Sequence, residues 1–466
     1  MTRKMGISFC GRSTTFFSLV LIAVWAFWFV FPQPGYASSQ FAMEPKAVFT
    51  GPEAAPWERV ELLEDRHPDM KTELFASGGE HKEPLIKKWF ASATPPSNSF
   101  LLHCAKGFSA ARTLPNPILL VHGAADNANR GWANPFHQNL PGPIAPEFWG
   151  MSQWMADLGY PVFAITFAHP NGCNVMQAEQ VANAIARIRH LLRRENDPTF
   201  KVDVIAHSKG NLAVRLYCSD APKVFPDRKF LTPYRHDVRT YVAIGCPMQG
   251  IDSPFRYYGF NILRATAKEF QGASPIAVES MLLNGQWKNF ADENYTGGGN
   301  LLWPGQAQCL FNLERDGDIP FGMDSATIAD GNLSMRALYD GGKTLFLNSQ
   351  GIDKAIARGE RFMYRLEERG IEPDVELLVI AGDDALINEP GVPSPKRELF
   401  LISSLFQVML SQTSDGAVFL KTATNVTGIL KRGAKHLETK VFHMNHIDIA
   451  RHKKVIQFID TFLLRK

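Results

Sequence analysis

Cysteine is scarce in this chain, at six residues in 466. None stands in a C-x-x-C pair or a close His/Cys cluster, so no metal site is legible. Charged residues make up only 20% of the chain, and no long basic run appears among them. The formal net charge of +3 comes from 49 Lys and Arg against 46 Asp and Glu, and Arg3, Lys4 and Arg12 account for the excess. Without those three the balance is zero. A neutral body gives no electrostatic reason for a nucleic-acid partner, and that class is set aside. Internal repeats and extended low-complexity tracts are also lacking. Apolar residues are ample at 45%, enough for a folded core and for two or three domains, or one domain with large insertions.

Arg3, Lys4 and Arg12 precede an uncharged stretch from Phe16 to Phe31, followed by Pro32, Pro34 and the triplet Gly35-Tyr36-Ala37. This order of charged, apolar and small-residue regions predicts a secretory signal peptide over 1–37, cut after Ala37. Sixteen helical residues rise only about 24 Å, short of a hydrocarbon core of about 30 Å, which favours a cleaved leader over a retained anchor. The expected location is secreted or periplasmic. Cys10 falls in the leader, leaving Cys104, Cys173, Cys218, Cys246 and Cys309. Five is odd, so at least one thiol stays unpaired in a monomer, while one or two disulfides become available after export.

Residues 38–113 carry many Pro, Gly and polar interruptions with no sustained period, and read as an extension packed on the main body. From Pro117 onward short β-rich runs alternate with helical patterns. The runs are Ile118–Val121, Val162–Phe167, Val202–Ala206, Tyr241–Gly245, Val375–Ala381 and Lys440–Met444. Ala178, Val181, Ala182, Ile185, Ile188 and Leu192 recur at helical spacing after a helix start at Asn174. Leu212, Ala213 and Leu216 form a second such face, and Val455, Ile456, Ile459 and Leu463 a last one. Strands alternating with helices predict an α/β domain over 114–466, with a mainly parallel sheet covered on both faces. Residues 251–374 break the rhythm at a length no simple loop takes, and read as an inserted cap. Phe255, Tyr257, Tyr258 and Phe260 would be its core or an acyl-binding wall.

The third run ends in Ala206-His207-Ser208-Lys209-Gly210 and passes directly into a helical pattern. A strand–turn–helix of this kind, with small residues two before and two after the serine, exposes Oγ above the sheet and marks Ser208 as a nucleophile. A serine nucleophile needs a base, an acid to orient it, and donors for an oxyanion. The strand Ile118–Val121 ends in His122-Gly123-Ala124, where the Ala124 amide is one candidate donor. The amide of Lys209, at a helix N-terminus, is the other, and its side chain is expected to run to solvent. His122 reads as structural. His446, in the turn Asn445-His446-Ile447-Asp448 after the last strand, is the expected base. His443 falls in the strand and His452 in the final helix. Three acids remain open: Asp383 and Asp384 after the fifth run, and Asp415 in Ser414-Asp415-Gly416-Ala417-Val418. The order Ser, acid, His fits each of them.

Together these residues resemble the secreted, bacterial-type lipases and esterases of the α/β-hydrolase superfamily with Ala-His-Ser-x-Gly elbows. The resemblance runs from about Asn116 to the C-terminus, outside much of the cap. It rests on His122-Gly123, on Asp157-Leu158-Gly159-Tyr160-Pro161-Val162, on the elbow, and on Gly245-Cys246-Pro247-Met248-Gln249-Gly250. Cys246, Met248 and Lys209 depart from the family pattern. The resemblance implies the α/β-hydrolase fold and a serine hydrolase of carboxylic esters, with Ser208, His446 and an acid as triad. The family's late acid sits in an Asn/Ser-Asp-Gly-x-Val segment, which favours Asp415. It implies an apolar ester as partner, met at a lipid–water interface, transient membrane contact, and no cofactor. Some relatives bind calcium, for which no ligand set can be read here. Esterase, thioesterase and polyester depolymerase activities would use the same groups. A non-catalytic binding protein would usually lack one of the three, and here all are present.

Overall fold

The computed structural model describes residues 43–72, 80–110, 116–133, 150–252, 308–313, 342–343, 348–349, 351–385 and 413–464. All of them lie in one unit, Met43–Lys466. The leader 1–37 and most of 251–374, with Phe255, Tyr257, Tyr258 and Phe260, fall outside the described residues.

Nine strands form one sheet among the described residues: β1 Ala47–Thr50, β2 Arg59–Glu64, β3 Ser99–Cys104, β4 Ile118–Val121, β5 Val162–Phe167, β6 Val202–His207, β7 Val238–Ile244, β8 Glu376–Gly382 and β9 Lys435–Phe442. Their order is β1-β2-β3-β5-β4-β6-β7-β8-β9. From β5 to β9 every pairing is parallel, whereas β1, β2 and β3 add an antiparallel meander on the β5 edge. The interval 38–113 thus supplies three strands of the main sheet. All six expected runs are strands, and the mixed, mostly parallel sheet with its helices has the α/β-hydrolase fold.

The central strands are buried along their whole length, so alternate side chains serve opposite faces. Leu119, Val121, Phe163 and Ile165 pack on one face under helices α3 Asn174–Leu191 and α4 Gly210–Cys218. Ile118, Leu120, Val162 and Ile205 pack on the other, under α1 Pro84–Phe90, α2 Met151–Asp157 and α6 Lys453–Leu463. Helix α5, Phe362–Arg369, lies within the expected insertion and buries Phe362, Met363 and Leu366. Burying both faces of a parallel sheet is what its near-continuous apolar strands require.

Helix α3 begins at Asn174, but not through an asparagine cap: the Asn174 amide donates to Gln308 Oε1 at 2.7 Å. An inserted-segment residue therefore caps the longest helix described. His452 is the N-cap of α6, where its Nδ1 accepts from the Lys454 amide, and is not an interior helical residue. Cys104, Cys173, Cys218, Cys246 and Cys309 form no disulfide with one another here. Burial pushes the Cys246 and Cys309 thiols up to about 12, which keeps them protonated and unreactive.

Candidate active site

The C-terminal ends of β4, β6, β7 and β8 meet at one place, and a glycine or a strained residue stands at each end. Ser208 follows β6 directly with φ +52°, a left-handed backbone that costs an L-residue energy and is kept where a sharp strand-to-helix turn demands it. Its amide donates to the Ile244 carbonyl at 2.9 Å, and Asn211 Nδ2 donates to the carbonyls of Ser208 and Ile244 at 2.9 and 3.1 Å. A Cβ on Gly210 would stand 2.3 Å from the His122 carbonyl oxygen, so only glycine lets α4 start this close to the end of β4. A Cβ on Gly123 would meet Ser208 Cβ at 2.8 Å. Gly245 has φ +51°, and a Cβ there would lie 3.0 Å from His446 Cε1 and Nδ1. These close approaches fix Ser208 and His446 around the same short segment, Ile244–Gly245.

His446 is buried, and its Nδ1 bonds Asp415 Oδ2 at 2.7 Å. The backbone repeats the contact, since the His446 amide donates to the Asp415 carbonyl at 2.7 Å. Asp415 is buried as well, and its other oxygen accepts from the Ala417 and Val418 amides at 3.0 and 2.7 Å. Gly416, at φ +92°, makes that tight loop accessible to the chain. A Cβ on Gly382 at the end of β8 would come within 3.0 Å of Asp415 Cβ. With Nδ1–H given to the carboxylate, the imidazole is left with Nε2 as its proton acceptor.

Asp384 follows β8 with its amide donating to the Met444 carbonyl at 3.3 Å, and Asp383 turns to another partner. Asp383 Oδ1 bonds His443 Nδ1 at 2.9 Å on the surface, and that pairing pushes the His443 pKa up. His443 itself lies just past β9 and not within it. His122 is buried: Nδ1–H donates to the Gly123 carbonyl at 2.8 Å, and Nε2 accepts from the Phe167 amide at 3.1 Å. Burial holds it at about 3, and both nitrogens are used, which is the structural role its position suggested.

Lys209 is buried, with Nζ donating to Gln177 Oε1 at 2.6 Å, so its side chain does not run to solvent. The reason lies in Gln177, one turn into α3, which offers the ammonium an acceptor under the elbow. Ala124 precedes Ala125, whose left-handed backbone (φ +53°) turns its amide onto Asn171 Oδ1 at 2.9 Å. The sequence showed Gln177 only as the partner of Asn174 in a helix start and His207 only as the elbow residue before the serine, and it gave no signal at Asn171. No group of three or more His, Cys, Asp or Glu able to hold a metal ion occurs among the described residues.

Residues 115–267 match the family model for class 2 lipases. Over that span, about a third of its length, the chain is similar to the class 2 lipases. The matched span runs from β4 through β7 and includes Ala124, Ser208 and Lys209, while Asp415 and His446 lie beyond it. No curated protein sequence matches the chain. Among solved structures, the mature Bacillus licheniformis lipase BlEst2 is 13% identical, with a TM-score of 0.39 over 78% of this chain and 97% of that one. EstA from Clostridium botulinum is 13% identical, with a TM-score of 0.37 over 76% and 88%. A thermostable carboxyl esterase from Bacillus coagulans is 14% identical, with a TM-score of 0.33 over 78% and 95%.

Proposed function

We propose that the protein is an exported serine hydrolase that cleaves carboxylic esters through an acyl-enzyme. The observation that carries this reading is the buried Asp415–His446 pair at 2.7 Å, packed against the same Gly245 that neighbours the strained Ser208 turn. Ser208 Oγ attacks the ester carbonyl while His446 Nε2 takes its proton, and Asp415 stabilises the imidazolium that forms. The amides of Ala124 and Lys209 receive the oxyanion, the second assisted by the N-terminus of α4. His446 then passes the proton to the leaving alcohol, and water resolves the acyl-enzyme by the same route reversed.

The class 2 lipase match favours apolar esters of the acyl-glycerol kind as substrates, met at a lipid–water interface. The leader 1–37 supports export with cleavage after Ala37. Labelling by a fluorophosphonate, with Ser208→Ala as control, tests the chemistry: labelling of the control, or its turnover of a short-chain ester at the parent rate, overturns it. An ester series from acetate to emulsified long-chain glycerides tests the lipase reading. The expected preference is for chains of about eight carbons or more, since each buried methylene contributes about 0.8 kcal/mol. Preference for acetate, with no gain on emulsions, would leave an esterase.

A further inference from the structure

The segment that joins β5 to α3, Ala168–Cys173, and the first turn of the helix bond to Ala125, next to one candidate oxyanion donor, and to the side chain of Lys209, the other. Asn171 is buried, and its Oδ1 accepts from the Ala125 amide at 2.9 Å. That bond fixes the Ala124–Ala125 peptide, the one that follows the Gly123–Ala124 peptide carrying the donor N–H, and so restrains rotation about Ala124 beside the left-handed Ala125. Gln177 is buried too, and its Oε1 accepts from Lys209 Nζ at 2.6 Å. The amide end of Gln177 is itself tied down, with Nε2 donating to the His169 carbonyl at 2.9 Å. One short stretch of chain therefore grips two loops that come from different strands.

The two loops follow paired strands, β4 and β6, and the grip adds to that contact. The β4 turn and the elbow meet at the Gly210–His122 and Gly123–Ser208 approaches, which set their distance but not the rotation of a peptide plane. An oxyanion donor works only when its N–H points at the position the oxygen will occupy, and a misplacement of about 1 Å costs about a hundredfold in rate. Lys209 is one of the departures from the family pattern, and Gln177 is the residue that accommodates it.

We infer that Asn171 and Gln177 are positioning residues of the oxyanion hole, Asn171 acting through the Ala124–Ala125 peptide and Gln177 through Lys209. This rests on the ester-hydrolase reading above. Neither side chain touches substrate in this scheme, so their removal is expected to spare ground-state binding and to weaken the tetrahedral state.

The test uses the full chain, with Asn171→Ala and Gln177→Ala made separately. Each is measured for kcat and KM on a soluble ester and for affinity to a trifluoromethyl ketone. Ser208 Oγ adds to that ketone: the O–C bond forms, the carbonyl π bond becomes an oxyanion, and the serine proton passes to His446. The expected result is a fall of about tenfold or more in kcat with KM within about twofold, and an equal loss of ketone affinity. Retention of kcat and ketone affinity within about twofold in both folded variants overturns the assignment. So does a fall in kcat without a matching loss of ketone affinity, or failure of both variants to fold, which would make the two residues structural. Failure of the underlying reading is separate, because it would appear in the parent protein as turnover that does not depend on Ser208.

Discussion

The rings of His207 and His446 lie face to tilted face, centroids 4.7 Å apart, and His207 Nε2–H donates to the His446 carbonyl at 2.8 Å. Burial first, and the neighbouring His446 second, hold His207 down at about 3. It therefore stays neutral at working pH, and a proton taken up by His446 meets no second cation across the stack. His207→Phe keeps a ring in place and deletes the bond to the His446 carbonyl. The expected outcome is a fall of about tenfold in kcat with KM little changed, read from steady-state kinetics on a soluble ester. Unchanged kcat would reduce the stack to simple packing.

Asp415→Asn is expected to lower kcat by orders of magnitude, up to about 10⁴, because an amide can hold the imidazole in the wrong tautomer. Asp383→Asn removes only an exposed bond to His443 and is expected to cost less than about threefold. Comparing the two kcat values decides between the acids. A larger loss at Asp383 would reverse the assignment.

Acid is expected to destabilise the fold through its buried imidazoles. Burial pushes His81 down to about 4 and His103, His122 and His207 down to about 3. In the unfolded chain each takes a proton near pH 6.5, so the unfolded state binds more protons as pH falls from 6.5 towards 3–4. Stability is then lost at about 1.4 kcal/mol per pH unit for each ring. Glu179 opposes this, since burial raises it to about 7 and the folded state holds its proton between about 4.5 and 7. Burial raises Asp65 and Asp203 in the same sense as Glu179, so four rings stand against three carboxyls. Urea midpoints measured at pH 7 and 5 are expected to fall with acid, and His103→Gln to flatten the slope.

Glu61 and Arg187 form a buried bidentate pair, with bonds of 2.7 and 3.1 Å, that ties β2 to α3. Glu61→Leu leaves the guanidinium buried without its carboxylate and is expected to cost about 3–5 kcal/mol in chemical denaturation. The double change Glu61→Leu with Arg187→Met is expected to cost less than Glu61→Leu alone, because the buried guanidinium is then gone and only the partly exposed Arg59, the second partner of Glu61, loses its carboxylate. Activity per folded molecule is expected to stay at the parent level in both.

The elbow turn, the parallel strands and the place of His446 just past the last strand were legible because each is a local signal. Val202–Ile205 is a short apolar run, Gly210 leaves room for the turn, and His446 follows the last strand within a few residues. Asp415 stood apart from its rivals only through the family pattern, since its buried setting depends on Gly382 at a distant strand end. The meander of β1 to β3 was hidden for a different reason. β2 reads Arg-Val-Glu-Leu-Leu-Glu, and its fully buried Glu61 looks like a surface residue until Arg187 is seen beside it. The fate of the Lys209 side chain was equally nonlocal, because its acceptor comes from the start of another helix.

The strands of this sheet are not stacked in the order in which a ribosome makes them. β3 pairs with β5, yet β4 and α2 must be synthesised in between. A nascent chain carrying β1 to β3 alone would show the apolar side chains of Phe100 and Leu101 to the cytosol, on an edge with no partner. Glu61 does not stand on that edge: it lies on β2, opposite Leu102 and paired with Arg59 of its own strand. The exposed β3 edge is closed only when β5 pairs with it, so completion of β5 is the step that ends the hazard.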